Sequence, residues 1–304
     1  MRKYTAICVL LGLVIASVFA QTDDYVCKVA SPNGAPALAL AMMAEKNPEN
    51  FAYVAAETIS AEFANNRSDF IIAPINAGAK LYKMGKSHYV LAAVVTWGNL
   101  YIASQKKNFR LKDIKKSGIT LFGENTINAS VALFALGKNA FAPKRTDYLA
   151  GAANTQALLL TNAETIVLTA EPALTAARMK NQNISAFAVN DLLKKATGYD
   201  GYAQAGLFVR KETVEQHPEA VSAFLVEAEK SCALCTDDIL AVAKAAVFLG
   251  ILPNETVAQK AIPGCAVRYL GAKDAKKQVE LTANIDLAQF GGALPADDFY
   301  YGER

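Results

Sequence analysis

The chain has 304 residues, 53% hydrophobic and 19% charged, with 31 Lys+Arg against 28 Asp+Glu. That composition supplies ample core material and excludes an intrinsically disordered chain, which needs low hydrophobicity and high net charge. A formal charge of +3 with no long Lys/Arg run also excludes the electrostatic footprint of a nucleic-acid binder.

Residues 1–20 read as a secretory signal peptide. Arg2 and Lys3 precede an apolar stretch over 7–18, and Val18-Phe19-Ala20 supplies a small-residue cleavage site. A membrane span needs about 20 apolar residues, and Asp23-Asp24 closes this stretch too early. Gln21 rather than Cys stands at the first mature position, so no lipid anchor is expected. The mature chain is expected to be free in the periplasm.

Short strand-like and longer helix-like runs then alternate. Strands are expected over 25–30, 51–55, 69–73 and 90–104, with helical runs over 36–46, 58–66 and 77–84 between them. A second series follows: strand 119–122, helix 126–136, strand 146–149, helix 154–161, strand 165–168, helix 172–180 and strand 185–189. Residues 205–210 form a further strand, and the remainder reads as helical almost to the end. This alternation predicts an α/β chain with mostly parallel strands. The length calls for two lobes: residues 21–104 with 205–304, and residues 105–204. The run 90–104 would enter the second lobe and 201–210 leave it, and two crossings at one level make a hinge.

Enzymatic signals are weak. His88 and His217 lie in polar or charged connections where solvated side chains are expected, and no ligand cluster suggests a metal or cofactor. Cys232 and Cys235 share the apolar stripe of a helix over 218–235, with Val221, Phe224, Leu225 and Ala228. Buried small residues are the simplest reading. A disulfide among Cys27, Cys232, Cys235 and Cys265 also suits an oxidising compartment.

Helix starts carry more information. Asn33-Gly34 follows the first strand, Asn76-Ala77 the third, and Asn125-Thr126 with Asn128 the first strand of the second lobe. Each sets small or polar residues and free backbone N–H groups at the carboxyl end of a strand, where ligands of open α/β sheets sit. No Arg or Lys stands at these turns, so an anion would depend on backbone amides. Thr96-Trp97-Gly98-Asn99 interrupts the apolar run 90–102. Trp97 reads either as a core residue beside a bulge or as an aromatic shelf, with Thr96 and Asn99 orienting a ligand. Glu171 precedes Pro172 at a fourth helix start. It is stabilised there by the helix dipole in any case, and in a cleft it would accept hydrogen bonds from a ligand N–H.

These segments also resemble a known group. The run 69–82 (DFIIAPINAGAKLY), Glu171-Pro172, Leu207-Phe208-Val209-Arg210 followed by Pro218-Glu219, and the late segments 261–265 and 291–301 are similar, in this order, to solute-binding proteins of ABC importers. The similar group includes nitrate, sulfonate and thiamine-precursor binders. The resemblance implies a type II periplasmic-binding fold, with two α/β lobes, two hinge crossings and a solute in the cleft. It implies a membrane permease as partner, powered by a cytoplasmic ATPase, with no catalysis, no cofactor and a monomeric clamp. Asn33, Gly34, Asn76, Ala77, Thr96, Trp97 and Asn99 are expected to face Asn125, Thr126, Asn128 and Glu171 across that cleft. Trp97 with Glu171 favours a flat nitrogen-bearing solute such as a pyrimidine vitamin precursor. The alternatives are an organic sulfonate or nitrate, a sensory binding protein, and an enzyme on the same fold.

Overall fold

Short apolar runs bounded by Gly, Pro and Asn fold into two mixed sheets in the computed structural model, which describes residues 25–56 and 58–302. The expected signal peptide at 1–20 lies outside the described residues. The strands are β1 (Val29–Pro32), β2 (Phe51–Val54), β3 (Phe70–Pro74), β4 (Tyr89–Thr96), β5 (Leu100–Ser104), β6 (Ile119–Phe122), β7 (Thr146–Leu149), β8 (Ile166–Ala170), β9 (Ser185–Ala188), β10 (Ala205–Arg210) and β11 (Val267–Gly271). One sheet has the order β11-β4-β10-β3-β1-β2 and the other β7-β6-β8-β5-β9. Parallel pairs form the heart of each: β1 with β2 and β3, and β6 with β7 and β8. Each crossing then delivers one antiparallel strand, β5 beside β8 and β10 beside β3. The result is a two-lobed α/β architecture.

Two differences from the sequence reading have physical causes. The apolar run 90–104 is two strands, not one: β4 belongs to the first sheet and β5 to the second. Both halves are buried, so their hydrophobicity continues through the break. Gly98 makes the break with φ +91, and a Cβ there would meet the Tyr202 ring at 2.5 Å and Asn190 Oδ1 at 2.7 Å. The C-terminal part also contains β11, an edge strand with mostly half-exposed residues and thus little apolar signal.

The two crossings lie against each other. Tyr202 N donates to Trp97 O (3.2 Å) and Gln204 N to Thr96 O (3.1 Å). Thr96 Oγ1 accepts from Ala205 N at 3.0 Å. Gly201, at φ +91, permits this approach, because any Cβ would stand 2.1 Å from Trp97 O.

Helices pack both sheets. Helix Pro218–Asp237 buries Val221, Ala228, Cys232 and Cys235 against the first sheet's apolar cluster. Among the described residues Cys232, Cys235 and Cys265 are buried free thiols, and Cys232 and Cys235 donate to the carbonyls of Ala39 and Leu38. Burial pushes the Cys235 thiol up to about 12, the mark of an inert core cysteine. Buried Asp69 ties the start of the described chain to the return strand: it accepts from Tyr25, Lys28 N, Arg210 and Thr213 at 2.8–2.9 Å. His88 is exposed beside Glu212, and His217 stacks on Tyr25.

Candidate functional site

The carboxyl ends of β1, β3 and β6 point into one cleft, closed at its base by the crossings. It holds a cavity of about 380 Å³. Asn33, Asn76 and Ala77 line it from one lobe, Thr126, Ile127 and Asn128 from the other, Asn99 and Gln204 from the crossings, and Gln289 from the rim. Pro32, Pro36, Ala56, Ile59 and Pro74 add apolar surface. None of the described residues that line it is charged.

Two helix N-termini meet there. Pro74 ends β3 and leads into helix Ile75–Lys83, whose first N–H goes to Gln204 O at 3.1 Å. The next N–H groups, of Asn76 and Ala77, have no partner in the helix's own first turn. Asn76 lines the cavity and buries its Oδ1 without a partner. From the facing lobe, Thr126 caps helix Ile127–Lys138, accepting from Ala129 N at 3.5 Å while donating to Gly123 O at 2.6 Å. Its hydroxyl is thereby engaged, and its part in the cavity is to position the N–H groups of Ile127 and Asn128.

The amides at the base are paired with one another. Asn99 donates from Nδ2 to Glu171 O (2.7 Å) and accepts on Oδ1 from Gln204 Nε2 (3.1 Å). Gln204 Oε1 accepts from the Thr96 hydroxyl at 3.4 Å. Asn128 Oδ1 accepts from the Tyr202 hydroxyl at 2.7 Å and, at 3.5 Å, from Gln204 Nε2.

Of the sequence-derived candidates, Asn33, Asn76, Ala77, Asn99, Thr126 and Asn128 come together around this cavity. The others have different surroundings. Gly34 shapes the turn into the helical segment Ala35–Leu40 with φ +96. Thr96 is fully buried, and its hydroxyl is spent within the crossings. Asn125 takes a left-handed φ of 56°, and its carbonyl accepts from Gln289 Nε2 at 2.8 Å.

Trp97 lines a separate recess of about 220 Å³ with Asn190, Asp200 and Arg268. Its indole N–H donates to Arg268 O at 2.8 Å, and the Arg268 guanidinium lies 4.5 Å from the ring centroid. Glu171 is buried at 7% exposure, and its carboxylate accepts from Thr175 N (3.0 Å) and Thr175 Oγ1 (2.9 Å). It therefore serves the first turn of helix Ala173–Lys180. Burial raises its pKa above the ordinary carboxyl value, opposed by the two Thr175 hydrogen bonds and by Arg178.

Hydrogen bonds among the described residues join the lobes around the cleft. Gln289 reaches Asn125, and Ser130 Oγ donates to Asp286 Oδ2 at 2.6 Å. Tyr101 Oη donates to Gly264 O at 3.3 Å, where Glu171 also packs. Gln204 and Gln289 escaped the sequence reading: neither sits in a helix-start pattern, and only the folded crossings bring Gln204 to the cavity floor. Among the described residues no group of three His, Cys, Asp or Glu could hold a metal ion.

No family model matches this sequence, nor does any curated protein. Solved structures do. An ABC transporter protein from Parabacteroides distasonis is 22% identical, with a TM-score of 0.79 over 92% of this chain and 100% of its own. The ligand-binding component of an ABC-type import system from Staphylococcus aureus, determined with zinc bound, is 15% identical, with a TM-score of 0.70 over 90% of this chain and 95% of its own. The periplasmic aliphatic sulphonate binding protein SsuA from Escherichia coli is 13% identical, with a TM-score of 0.65 over 86% of each chain. Likeness at these identities establishes the fold: two lobes in the periplasmic-binding-protein arrangement.

Proposed function

We propose that this chain is the solute-binding component of an ABC importer, which captures a small solute by lobe closure and presents the closed form to a membrane permease. The observation that carries the reading is the cavity between two lobes of this fold, with a helix N-terminus entering from each. Its volume of about 380 Å³ suits a small metabolite. Binding there favours the closed arrangement by its differential affinity for the two states.

The lining argues for the solute's chemistry. Donors predominate: the first N–H groups of two helices, and the amine end of Asn128, whose oxygen is taken by Tyr202 and Gln204. A helix N-terminus contributes up to about 2 kcal/mol to a partly buried negative charge. The apolar residues Pro36, Ile59 and Pro74 suit a short aliphatic part. An organic oxyanion, of the sulfonate kind, fits this set best and is held by dipoles rather than by Lys or Arg. A flat nitrogen-bearing solute has less support, because Trp97 and Glu171, its expected partners, are engaged outside the cavity. Export to the periplasm belongs to the same proposal.

Thermal shift of purified residues 21–304 against alkanesulfonates, nitrate, pyrimidines and amino acids tests the reading. A ligand at 100 times its dissociation constant adds about 2.7 kcal/mol of stability. Stabilisation by sulfonates supports the oxyanion, and stabilisation by pyrimidines alone overturns it while keeping the binding-protein role. Turnover of a bound compound would overturn the transport role itself.

A further inference from the structure

An asparagine amide is nearly symmetric in shape, and its two ends differ only in accepting or donating. The groups that the inner end must satisfy decide which end meets a ligand. Asn128 stands at the cavity wall with its Oδ1 on the Tyr202 hydroxyl. Tyr202 is 1% exposed, and Asn128 is the acceptor of its hydroxyl. Burial raises the phenol far above its ordinary pKa, so it stays protonated and remains a donor.

Gln204 reinforces the same polarity. Its Oε1 is held by the Thr96 hydroxyl, so its amine end faces Asn99 and Asn128. Asn99 cannot turn over, because its own amine is held by the Glu171 carbonyl. This run of bonds fixes the Asn128 amide with its oxygen turned to Tyr202 and Gln204.

We infer that Tyr202 and Gln204 are positioning residues that aim the Asn128 amine into the cavity, and that this orientation makes the site prefer an oxyanion over the neutral amide of the same solute. This rests on the oxyanion reading above. A sulfonate oxygen accepts from the Asn128 Nδ2, whereas a sulfonamide can set its own N–H against it, donor to donor. Tyr202→Phe removes the anchor and lets the Asn128 amide turn over to serve either ligand.

Calorimetric titration of residues 21–304 with ethanesulfonate and ethanesulfonamide provides the test, with nitrate and butanesulfonate as further oxyanion probes. Wild type is expected to prefer the sulfonate, and Tyr202→Phe to narrow that preference by about tenfold. In an Asn128→Leu background the Tyr202 substitution is expected to leave the preference unchanged, which a general structural defect would not do. Gln204→Met carries the same comparison if Tyr202→Phe does not fold. An unchanged preference in the variants, beside clear sulfonate binding by wild type, overturns this inference alone. Wild type that binds none of the oxyanion probes overturns the oxyanion reading and this inference together.

Discussion

The side-chain amide of Gln289 donates to the carbonyl of Asn125 across the cleft, 2.8 Å from one lobe to the other. The acceptor is a backbone oxygen exposed by the left-handed turn at Asn125, just before a helix whose first N–H groups face the cavity. A rim contact and a cavity wall thus share one turn. Gln289→Ala removes a single hydrogen bond, a net loss of about 0.5–1.5 kcal/mol. The expected outcome is a ligand affinity weakened by about three- to tenfold with little change in the melting temperature of the free protein. Calorimetry and thermal melts of the variant check both.

Gly264 is a second contact point. A Cβ there would meet Tyr101 Oη at 2.8 Å and Glu171 Cγ at 2.9 Å, both on the facing lobe. Gly264→Ala overpacks this seam at a cost of about 1–3 kcal/mol. The cost falls on the closed arrangement, so small-angle scattering of the liganded variant should give a larger radius of gyration than wild type. Identical scattering curves would remove Gly264 from the closure contact.

Glu171 predicts a pH dependence. Its pKa in the fold lies above the ordinary 4.5 because burial disfavours the charged form. The folded chain therefore holds this proton more tightly than the unfolded chain does. The associated stability is complete below the ordinary value and is lost as pH rises through the higher folded value. Glu171→Gln keeps an acceptor for Thr175 and removes the titration. Melting temperatures from about pH 4 to about pH 8 should fall less steeply in the variant than in wild type. Parallel slopes would mean that Glu171 titrates normally.

Trp97, the chain's single tryptophan, offers an intrinsic reporter. Its indole is bonded to Arg268 on one lobe, and its carbonyl accepts from Asn190 on the other at 3.1 Å. Closure alters this neighbourhood although Trp97 does not line the main cavity. Ligand addition should change its emission, with the same saturation curve as calorimetry. Binding seen by calorimetry without a fluorescence change would argue against motion at this crossing.

Much of the fold was readable because each strand is a short buried run ended by a turn residue. The run 90–104 was misread for the same reason: two buried strands in different sheets follow one another, and hydrophobicity cannot register the change of sheet. Asn33, Asn76 and Asn128 were legible as cavity-lining because a helix start after a strand places them at the sheet's carboxyl end. Trp97 and Glu171 drew attention by residue type, and type does not tell which side of a crossing a side chain takes. Gln204 lies in a plain Tyr-Ala-Gln-Ala stretch. Its place at the cavity floor arises from the pairing of two segments about a hundred residues apart, as its bonds to Thr96 and Asn99 show.

The crossings are bonded to each other, Tyr202 to Trp97 and Gln204 to Thr96, with Gly201 pressed against the Trp97 carbonyl. Two separate tethers would let the lobes slide and twist as well as swing. A laced ribbon resists shear and bends chiefly about one axle. On the proposed binding role, the breadth of a bound solute would be translated into a single angle, and a partner touching both lobes would read that angle as a dial without contacting the solute itself.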